Sequence, residues 1–247
     1  MSSAIEVRNL QKSYSGFGLQ NVSFCVPQGS IVGLIGENGA GKTTTIKAIL
    51  NLIDIEGGEI SVLGSPTKIS KRTREDIGVV FDDLCFHANL SVSQLGKVMQ
   101  GMYKRWDMAL FKQYCQRFSL DSKKRVGDLS KGMKMKLSLA AAFAARPRLL
   151  ILDEATSGLD PVVRDEILDE FLAFIQDEEH AILLSSHITS DAGEVTDYVP
   201  TSTGAGGGVG GQRMSCWTPT ASWCAAAPSW SGWTPPCWWG ALRPVRL

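Results

Sequence analysis

The 247-residue sequence lacks the features that mark membrane-spanning, secreted and nucleic-acid-binding proteins. It has no apolar run of about 18 residues, the length that spans a bilayer, and no apolar segment behind a basic start as in a signal peptide. Its 25 basic and 25 acidic side chains give a formal net charge of zero, so charge gives no reason to propose nucleic acid as a partner. We therefore expect a cytoplasmic protein that does not itself cross a membrane.

Cysteine and histidine are scarce as well. Before residue 199 the sequence has three cysteines, Cys25, Cys85 and Cys115, whose wide spacing fits neither a disulfide framework nor a metal site. We expect these thiols to be reduced and buried. Two of the three histidines, His87 and His180, lie in polar connectors and are predicted to be solvated.

A phosphate-binding pattern is the strongest signal that the sequence does contain. The segment GENGAGKT, followed by a further threonine, fits G-x-x-x-x-G-K-[ST]. Its residues are Gly36, Glu37, Asn38, Gly39, Ala40, Gly41, Lys42, Thr43 and Thr44. The apolar run 31–35 before it predicts a buried strand, and the pattern of residues 44–53 after it predicts a helix.

In that setting each part of the loop has a chemical role. Glycines let successive N–H groups point at phosphate oxygens, and the helix amino terminus adds partial positive charge. Lys42 can reach the β- and γ-phosphates, and the Thr43 hydroxyl can ligate Mg²⁺. The alternative is a glycine-rich turn between a strand and a helix with a chance Lys-Thr pair.

Further polar residues follow two predicted core strands. Asp153 ends the apolar run 149–152, the usual place for a carboxylate that holds Mg²⁺ through water, and Glu154 is placed to orient or deprotonate an attacking water. Simple solvation of a sheet edge is the alternative, which the phosphate loop upstream disfavours. His187 follows the predicted strand 181–185 and should reach the same edge, where it can sense the γ-phosphate.

Tyr14 is a candidate for the base of a nucleotide. It lies in a polar turn predicted for residues 11–18 and is flanked by short polar residues, so its ring could stack on adenine; a half-buried surface tyrosine is the alternative. The alternation of predicted strands and helices along the chain indicates an α/β fold, with a mainly parallel sheet and an antiparallel β layer in the first third of the sequence. Residues 84–128 read as an inserted helical lobe, or alternatively as ordinary crossover helices of the sheet. Ser91 with Gln94 predicts a capping box and Asp107 a second cap in this segment, and Asp160 is predicted to cap a helix that begins at Pro161.

The motifs in their order resemble the nucleotide-binding subunit of ATP-binding cassette (ABC) transporters, of the small bacterial export type, over about residues 4–198. The matching motifs are the phosphate loop, the Asp82 position, LSKGM at 129–133, LLILDE at 149–154, SGLD at 157–160 and His187. This resemblance implies a P-loop NTPase with a RecA-like core that binds ATP and Mg²⁺ and hydrolyses ATP.

The resemblance also implies partners and roles. Ser130 and Gly132 of the signature motif would donate to the γ-phosphate of ATP held by a second nucleotide-binding subunit, in a homo- or heterodimer. Tyr14 would be the adenine-stacking aromatic, Glu154 and Lys42 would act in hydrolysis, and His187 would be the switch histidine. A separate transmembrane permease would hold the dimer at the inner face of the membrane and be driven by it.

Two positions depart from the family pattern. The signature usually reads LSGGQ, and here Lys131 and Met133 replace a glycine and the glutamine. Asp82 stands where the family usually has glutamine; it can still ligate Mg²⁺ or its water, but it is shorter and charged, so coupling to the membrane partner is expected to differ.

The last fifty residues differ in composition from the rest. After Asp197 there is no Asp, Glu or Lys, and a glycine tract at 204–211 precedes six of the seven tryptophans. We therefore divide the chain into an ATPase domain, 1–198, with its lobe and a signature helix to 145, and a disordered tail, 199–247. Our hypothesis for this composition is a reading-frame shift near Val199, because in the shifted frame the codons of Cys216–Thr218 must encode Leu and Asp. The alternative is a genuine Trp-rich interaction tail after a glycine linker.

The sequence is also compatible with two other functions. The chain could be a truncated cassette that binds nucleotide with little turnover, or a soluble ABC ATPase that works outside transport. The second is disfavoured because such proteins usually carry two cassettes or long coiled coils, and this sequence has one cassette and no heptads.

Overall fold

We describe the protein from a computed structural model. The structure describes residues 2–66, 70–82, 86–156 and 159–186, together with the backbone of two short strands further along, Val199–Pro200 and Ser215–Trp217.

The first third of the chain forms an antiparallel sheet with the strand order β2-β1-β4-β5. Its strands are β1 (Ser3–Tyr14), β2 (Phe17–Pro27), β4 (Gly57–Val62) and β5 (Ser65–Pro66). The polar turn predicted for residues 11–18 is wrong in its extent. Pairing of Lys12 with Leu19 and of Tyr14 with Phe17 extends both strands to a tight turn at Gly16, whose φ of 87° suits glycine.

The second sheet has the strand order β6-β7-β8-β3-β10-β9. Four strands run parallel, namely β6 (Ile77–Phe81), β7 (Leu149–Asp153), β8 (Ala181–Ser186) and β3 (Ile31–Ile35). Beyond β3 lie β10 (Ser215–Trp217) and then β9 (Val199–Pro200), both antiparallel to their neighbours. The α/β fold with a mainly parallel sheet and an antiparallel layer is confirmed.

Helices connect and cover these strands. They are α1 (Lys42–Ile49), α2 (Lys71–Glu75), α3 (Val92–Met102), α4 (Met108–Arg117), the 3₁₀ turn η1 (Val126–Asp128), α5 (Lys131–Ala144) and α6 (Pro161–Phe174). The predicted caps are confirmed, because Ser91 forms a capping box with Gln94, and Asp107 and Asp160 accept from the third residue of their helices. Of these helices, none is long and apolar enough to cross a bilayer.

Alternate residues of the parallel strands belong to two apolar cores. Leu150 and Leu152 pack with the helices α3 to α6, whereas Leu149 and Ile151 pack with α1 and the antiparallel sheet. Strands buried on both faces must be apolar throughout, which explains the unbroken run in β7. Each large side chain buried in this way contributes about 1.5–3 kcal/mol, and this burial fixes the strand ends at which the polar residues meet.

Two expectations for single residues were wrong. Cys25 is exposed because it points outward from β2, whereas Cys115 is buried as expected and burial raises its pKa to about 11. His180 is not simply solvated: its ring stacks on Phe174 at 4.3 Å, and its Nδ1 lies 3.0 Å from the Phe174 carbonyl oxygen. His87 is exposed, as predicted, and Cys85 lies outside the described residues.

Candidate functional site

The candidate site lies at the carboxyl edge of the parallel sheet. Strand β8 has β3 on one side and β7 on the other, so the phosphate loop after β3 lies beside the end of β8. The register pairs Ile35 with Ser186 and Asp153 with Ser185. The N–H of Gly36 donates to the Ser186 carbonyl at 3.3 Å. Parallel strands in this order therefore bring together residues that lie far apart in the sequence.

The phosphate loop depends on glycine at two positions. Gly39 and Gly41 have φ angles of 87° and 97°, in the left-handed region that glycine adopts most readily. At Gly41 a Cβ atom would also lie 2.4 Å from Leu19 and 2.8 Å from Phe17, so the β1–β2 hairpin packs directly on the loop. Helix α1 begins immediately afterwards at Lys42. The strand–loop–helix geometry predicted for the motif is present.

Lys42 is buried within the loop, with only 5% of its side chain exposed. Its Nζ donates to the carbonyl oxygens of Gly36 at 2.6 Å and Glu37 at 3.2 Å, and it lies 3.1 Å from Oε1 of Glu154. The ammonium group is therefore held between two backbone carbonyls, with a carboxylate as its ionic partner. A phosphate group, which is negatively charged like the Glu154 carboxylate, could take the place of that carboxylate beside the ammonium group.

Thr43 and Asp153 meet across the site. The Thr43 hydroxyl donates to Oδ2 of Asp153 at 2.9 Å. Adjacent oxygens around an octahedral Mg²⁺ with bonds of about 2.1 Å are about 3 Å apart, so this hydroxyl and carboxylate fit as neighbouring ligands. In the described part of the chain no group of three or more His, Cys, Asp or Glu side chains could hold a metal ion. The Thr43 hydroxyl and the Asp153 carboxylate would supply two ligands. Such a site suits Mg²⁺, which usually keeps several water ligands and also binds the phosphates of a substrate.

Ser185 is a residue of this site that the sequence analysis missed. Its hydroxyl is buried, donates to Oδ1 of Asp153 at 2.6 Å and accepts from the N–H of Glu154 at 2.9 Å. The only signal in the sequence is a polar residue at the end of an apolar strand, which does not reveal which neighbour it contacts.

Tyr14 is 48% exposed at the tip of the β1–β2 hairpin. Its ring stacks on Phe17 with the centroids 6.5 Å apart, and Lys12 Nζ lies 5.4 Å from the ring centre. The neighbouring Ser13 donates its N–H to Glu56, and hydrogen bonds from the side chain and backbone of Ser13 hold the pKa of Glu56 below its usual value. The hairpin tip is thus fixed beside the phosphate loop through Phe17.

The two departures from the family pattern contact each other. Asp82 follows Phe81, the register partner of Asp153, and its Oδ1 lies 2.8 Å from Nζ of Lys131. Both side chains are about half exposed. The prediction that Asp82 ligates Mg²⁺ or a water on the ion stays a prediction.

Ser130 and Gly132 lie at the start of α5. The Ser130 hydroxyl accepts from the N–H of Met133 at 3.3 Å and so caps the helix. A Cβ atom at Gly132 would meet Val163 and Leu159 only at ordinary contact distances of 3.7–3.9 Å, so packing inside this chain does not require glycine there. His187 lies outside the described residues, immediately after Ser186.

Comparison with known proteins decides the family. The family model described as ABC transporter matches residues 19–157, more than half of the chain. This chain belongs to the ABC transporter family. ATP-binding proteins of this family are ATPases in general, and they generally bind ATP with Mg²⁺.

Individual relatives agree with this assignment. The chain is 35% identical over 206 residues to the bacitracin transport ATP-binding protein BcrA of Bacillus licheniformis, covering 81% of this chain and 66% of that protein. It is 32% identical to the ABC transporter ATP-binding protein YtrB of Bacillus subtilis, covering 76% and 64%. It is 33% identical to the lantibiotic transport ATP-binding protein SrtF of Streptococcus pyogenes, covering 79% and 85%. The chain thus spans slightly under two thirds of the length of BcrA and YtrB.

Solved structures show the same fold. An ATP-binding subunit of an ABC transporter superposes with a TM-score of 0.71 at 30% identity, covering 80% of this chain and 85% of that one. The cbiO1 protein of Clostridium perfringens, part of the cbiONQ transporter complex, superposes with a TM-score of 0.66 over 81% and 84% of the two chains. At 23% identity, this second likeness supports the fold alone.

Proposed function

We propose that this chain is the ATP-binding and ATP-hydrolysing subunit of an ABC transporter and drives export through a separate membrane-spanning permease. One observation carries the proposal: a buried lysine, a hydroxyl–carboxylate pair and a second carboxylate meet at the mouth of a phosphate loop. The relatives named for bacitracin and lantibiotic transport favour a role in transport, and the relative named for Nod factor export favours the export direction.

Phosphate binding rests on Lys42 and the backbone of residues 36–44. The triphosphate would lie against the loop N–H groups and the start of α1, and its negative charge would replace the Glu154 carboxylate beside the Lys42 ammonium. Glu154 would thereby be released from Lys42 to act elsewhere in the site. Tyr14, half exposed and supported by Phe17, would offer a ring face to adenine.

Thr43 and Asp153 would hold Mg²⁺, directly or through water, with Asp82 as a third candidate. Bound there, the ion would offset the charge that develops on the transferred phosphoryl group. Asp153 is suited to this role because it is buried and its carboxylate is already oriented by two hydroxyl groups.

Glu154 would orient the attacking water and accept its proton. Its position directly after Asp153 keeps its carboxylate at the same strand end, within the reach of Lys42. His187, one residue beyond β8, would hold the water and the γ-phosphate in register. These roles come from the position of each residue in the family motifs.

A second subunit would complete the site. Ser130 and Gly132 would approach the γ-phosphate bound by the partner, in a homo- or heterodimer. The capped amino terminus of α5 supports this role, as does the space at Gly132, where the chain itself does not need a glycine. The closed dimer would act on the permease at the inner face of the membrane.

The direct test compares ATP binding and hydrolysis in Glu154→Gln. We expect hydrolysis to fall by about 100- to 1,000-fold, the usual contribution of a general base, with ATP binding retained. Glu59→Gln, an exposed carboxylate on β4, is the matched control and should leave both quantities unchanged.

A hydrolysis rate in Glu154→Gln within about twofold of the unaltered chain would remove Glu154 from its role. If the unaltered chain binds ATP without turnover, the nucleotide-binding function stands and the hydrolytic function is refuted. Co-purification with a membrane-spanning protein tests the permease, and its absence under those conditions would favour a soluble ABC ATPase.

A further inference from the structure

The Ser185 hydroxyl lies between the two carboxylate residues of the candidate site. It donates to Oδ1 of Asp153 at 2.6 Å and accepts from the backbone N–H of Glu154 at 2.9 Å. The side chain is fully buried. A buried hydroxyl is unfavourable unless its hydrogen bonds are made, and here it makes one as donor and one as acceptor.

The strand register places this hydroxyl against its partners. Ser185 and Asp153 are paired residues on the parallel neighbours β8 and β7. The four preceding residues of β8, 181–184, are apolar and buried. Ser185 is therefore the point at which β8 changes from core packing to contacts with the site.

The bond to Asp153 fixes one carboxylate. Oδ1 accepts from Ser185, whereas Oδ2 accepts from Thr43 on the opposite side. With both oxygens engaged, the carboxylate plane cannot rotate freely, and Oδ2 stays directed toward the Thr43 hydroxyl.

The bond to Glu154 fixes the backbone next to it. Glu154 has a φ of 55°, a left-handed conformation that is uncommon for a residue with a side chain. By accepting the N–H of Glu154, the Ser185 hydroxyl satisfies a backbone donor at this buried strand end. In the same conformation the Glu154 side chain comes within 3.1 Å of Lys42.

We propose that Ser185 is a positioning residue that preorients the Asp153 carboxylate and the Glu154 backbone through one hydroxyl group. This inference rests on the proposed function and adds a residue to it. Preorganisation of this kind matters because small displacements of catalytic groups lower rates strongly.

The first test measures how much Mg²⁺ strengthens binding of a non-hydrolysable ATP analogue, by titration with and without the ion. In Ser185→Ala we expect the Mg²⁺-dependent gain to fall by about tenfold, the effect of one lost hydrogen bond, with Mg²⁺-free affinity within about twofold because Lys42 is untouched. Turnover should also fall by at least about tenfold, because the carboxylates are no longer held in orientation, and the KM for Mg-ATP should rise in step with the lost Mg²⁺-dependent gain.

The second test needs neither nucleotide nor metal. Amide hydrogen exchange at Glu154 should become faster by about tenfold or more in Ser185→Ala, because its N–H loses its acceptor. Ser185→Thr retains the hydroxyl and should restore both the Mg²⁺ dependence and the protection. Ser30→Ala is the matched control: its hydroxyl donates to the Pro27 carbonyl at the opposite edge of the sheet, so neither readout should change.

The outcomes separate the two proposals. If the unaltered chain does not bind Mg-nucleotide, the proposed function itself fails. If it binds and turns over, while Ser185→Ala keeps its Mg²⁺ dependence and its Glu154 protection, the role of Ser185 alone is overturned. Should Ser185→Ala fail to fold, Ser185→Thr is compared with Ser185→Cys, whose weaker donor should lower both readouts, and equal values in the two variants would overturn the inference.

Discussion

Two lysine–carboxylate pairs in this protein differ in the property that decides their strength. Lys42 and Glu154 are 3.1 Å apart, with 5% and 18% of their side chains exposed. Lys131 and Asp82 are closer, at 2.8 Å, but 53% and 47% exposed. Distance alone would rank the second pair higher. Burial reverses that order, because water screens the exposed pair and leaves the buried one largely unscreened.

This difference in burial suits the two lysines to different roles. Lys42 has additional backbone partners in Gly36 and Glu37 and has already lost most of its water, so a phosphate entering the loop meets a desolvated cation. Lys131 keeps access to solvent and can exchange Asp82 for water at little cost. The first pair is suited to ligand binding, whereas the second joins the start of α5 to the end of β6.

The largest effect is expected from removing each lysine in turn and measuring nucleotide affinity by titration. Lys42→Ala should weaken ATP binding on the order of 100-fold, because a charge-assisted contact is worth about 2–3 kcal/mol. Lys131→Ala is the matched control and should stay within about threefold, as expected for a solvated charge. Equal losses in the two variants would contradict the ranking by burial.

An intermediate effect is expected for a third pair, in which only the carboxylate is buried. Arg117 on α4 lies 2.6 Å from Glu170 on α6, whose side chain is 2% exposed. Burial raises the pKa of Glu170 above its usual value, even though the Arg117 charge opposes that shift. A raised pKa means that the folded chain holds the Glu170 proton more tightly than the unfolded chain does. Ionised Glu170 therefore costs stability as the pH rises above about 4.5.

Arg117→Ala should make this cost larger. We expect little change in the free energy of unfolding at pH 4, which lies below the usual Glu170 pKa of 4.5 and so favours the protonated carboxyl, and a loss of about 1–3 kcal/mol at pH 8, where ionisation without the Arg117 partner is favoured most. Denaturant unfolding at the two pH values measures this difference. When Arg117→Ala is combined with Glu170→Gln, the loss in the free energy of unfolding should no longer differ between the two pH values. If Arg117→Ala alone lowers the free energy of unfolding equally at both pH values, the explanation is refuted.

The smallest effect is expected at the exposed pair itself. A double-mutant cycle with Asp82→Ala and Lys131→Ala should give a coupling free energy below about 1 kcal/mol, and 0.5 M salt should remove most of it. Chemical denaturation of the four proteins measures the coupling. A salt-insensitive coupling above that value would mean that the pair is less solvated than its exposure indicates.

Much of the fold followed from local sequence patterns. The phosphate loop, the capping box at Ser91 and the cap at Asp107 each depend on residues within about ten positions, and all three have the predicted geometry. The extent of β1 and the short helix α2 were missed, because cross-strand pairing and a single capping serine outweighed the polar composition of those segments. The division into residues 1–198 and 199–247 stays a prediction.

The site followed only in part. Lys42, Thr43, Asp153 and Glu154 are brought together as the order of motifs suggested, although their functional roles stay predictions. The Lys42–Glu154 contact could not be foreseen, because it depends on the left-handed backbone of Glu154.

The sequence by itself determined the four parallel core strands, the start of the capped helices and where a phosphate can be held, because these depend on near neighbours and on apolar periodicity. Only the tertiary structure decided which distant residues touch. Thr43 and Asp153 are 110 positions apart and Asp153 and Ser185 are 32 apart, and they meet because β3, β8 and β7 lie side by side. That strand order comes from packing two apolar cores against opposite faces of one sheet, which no local pattern encodes.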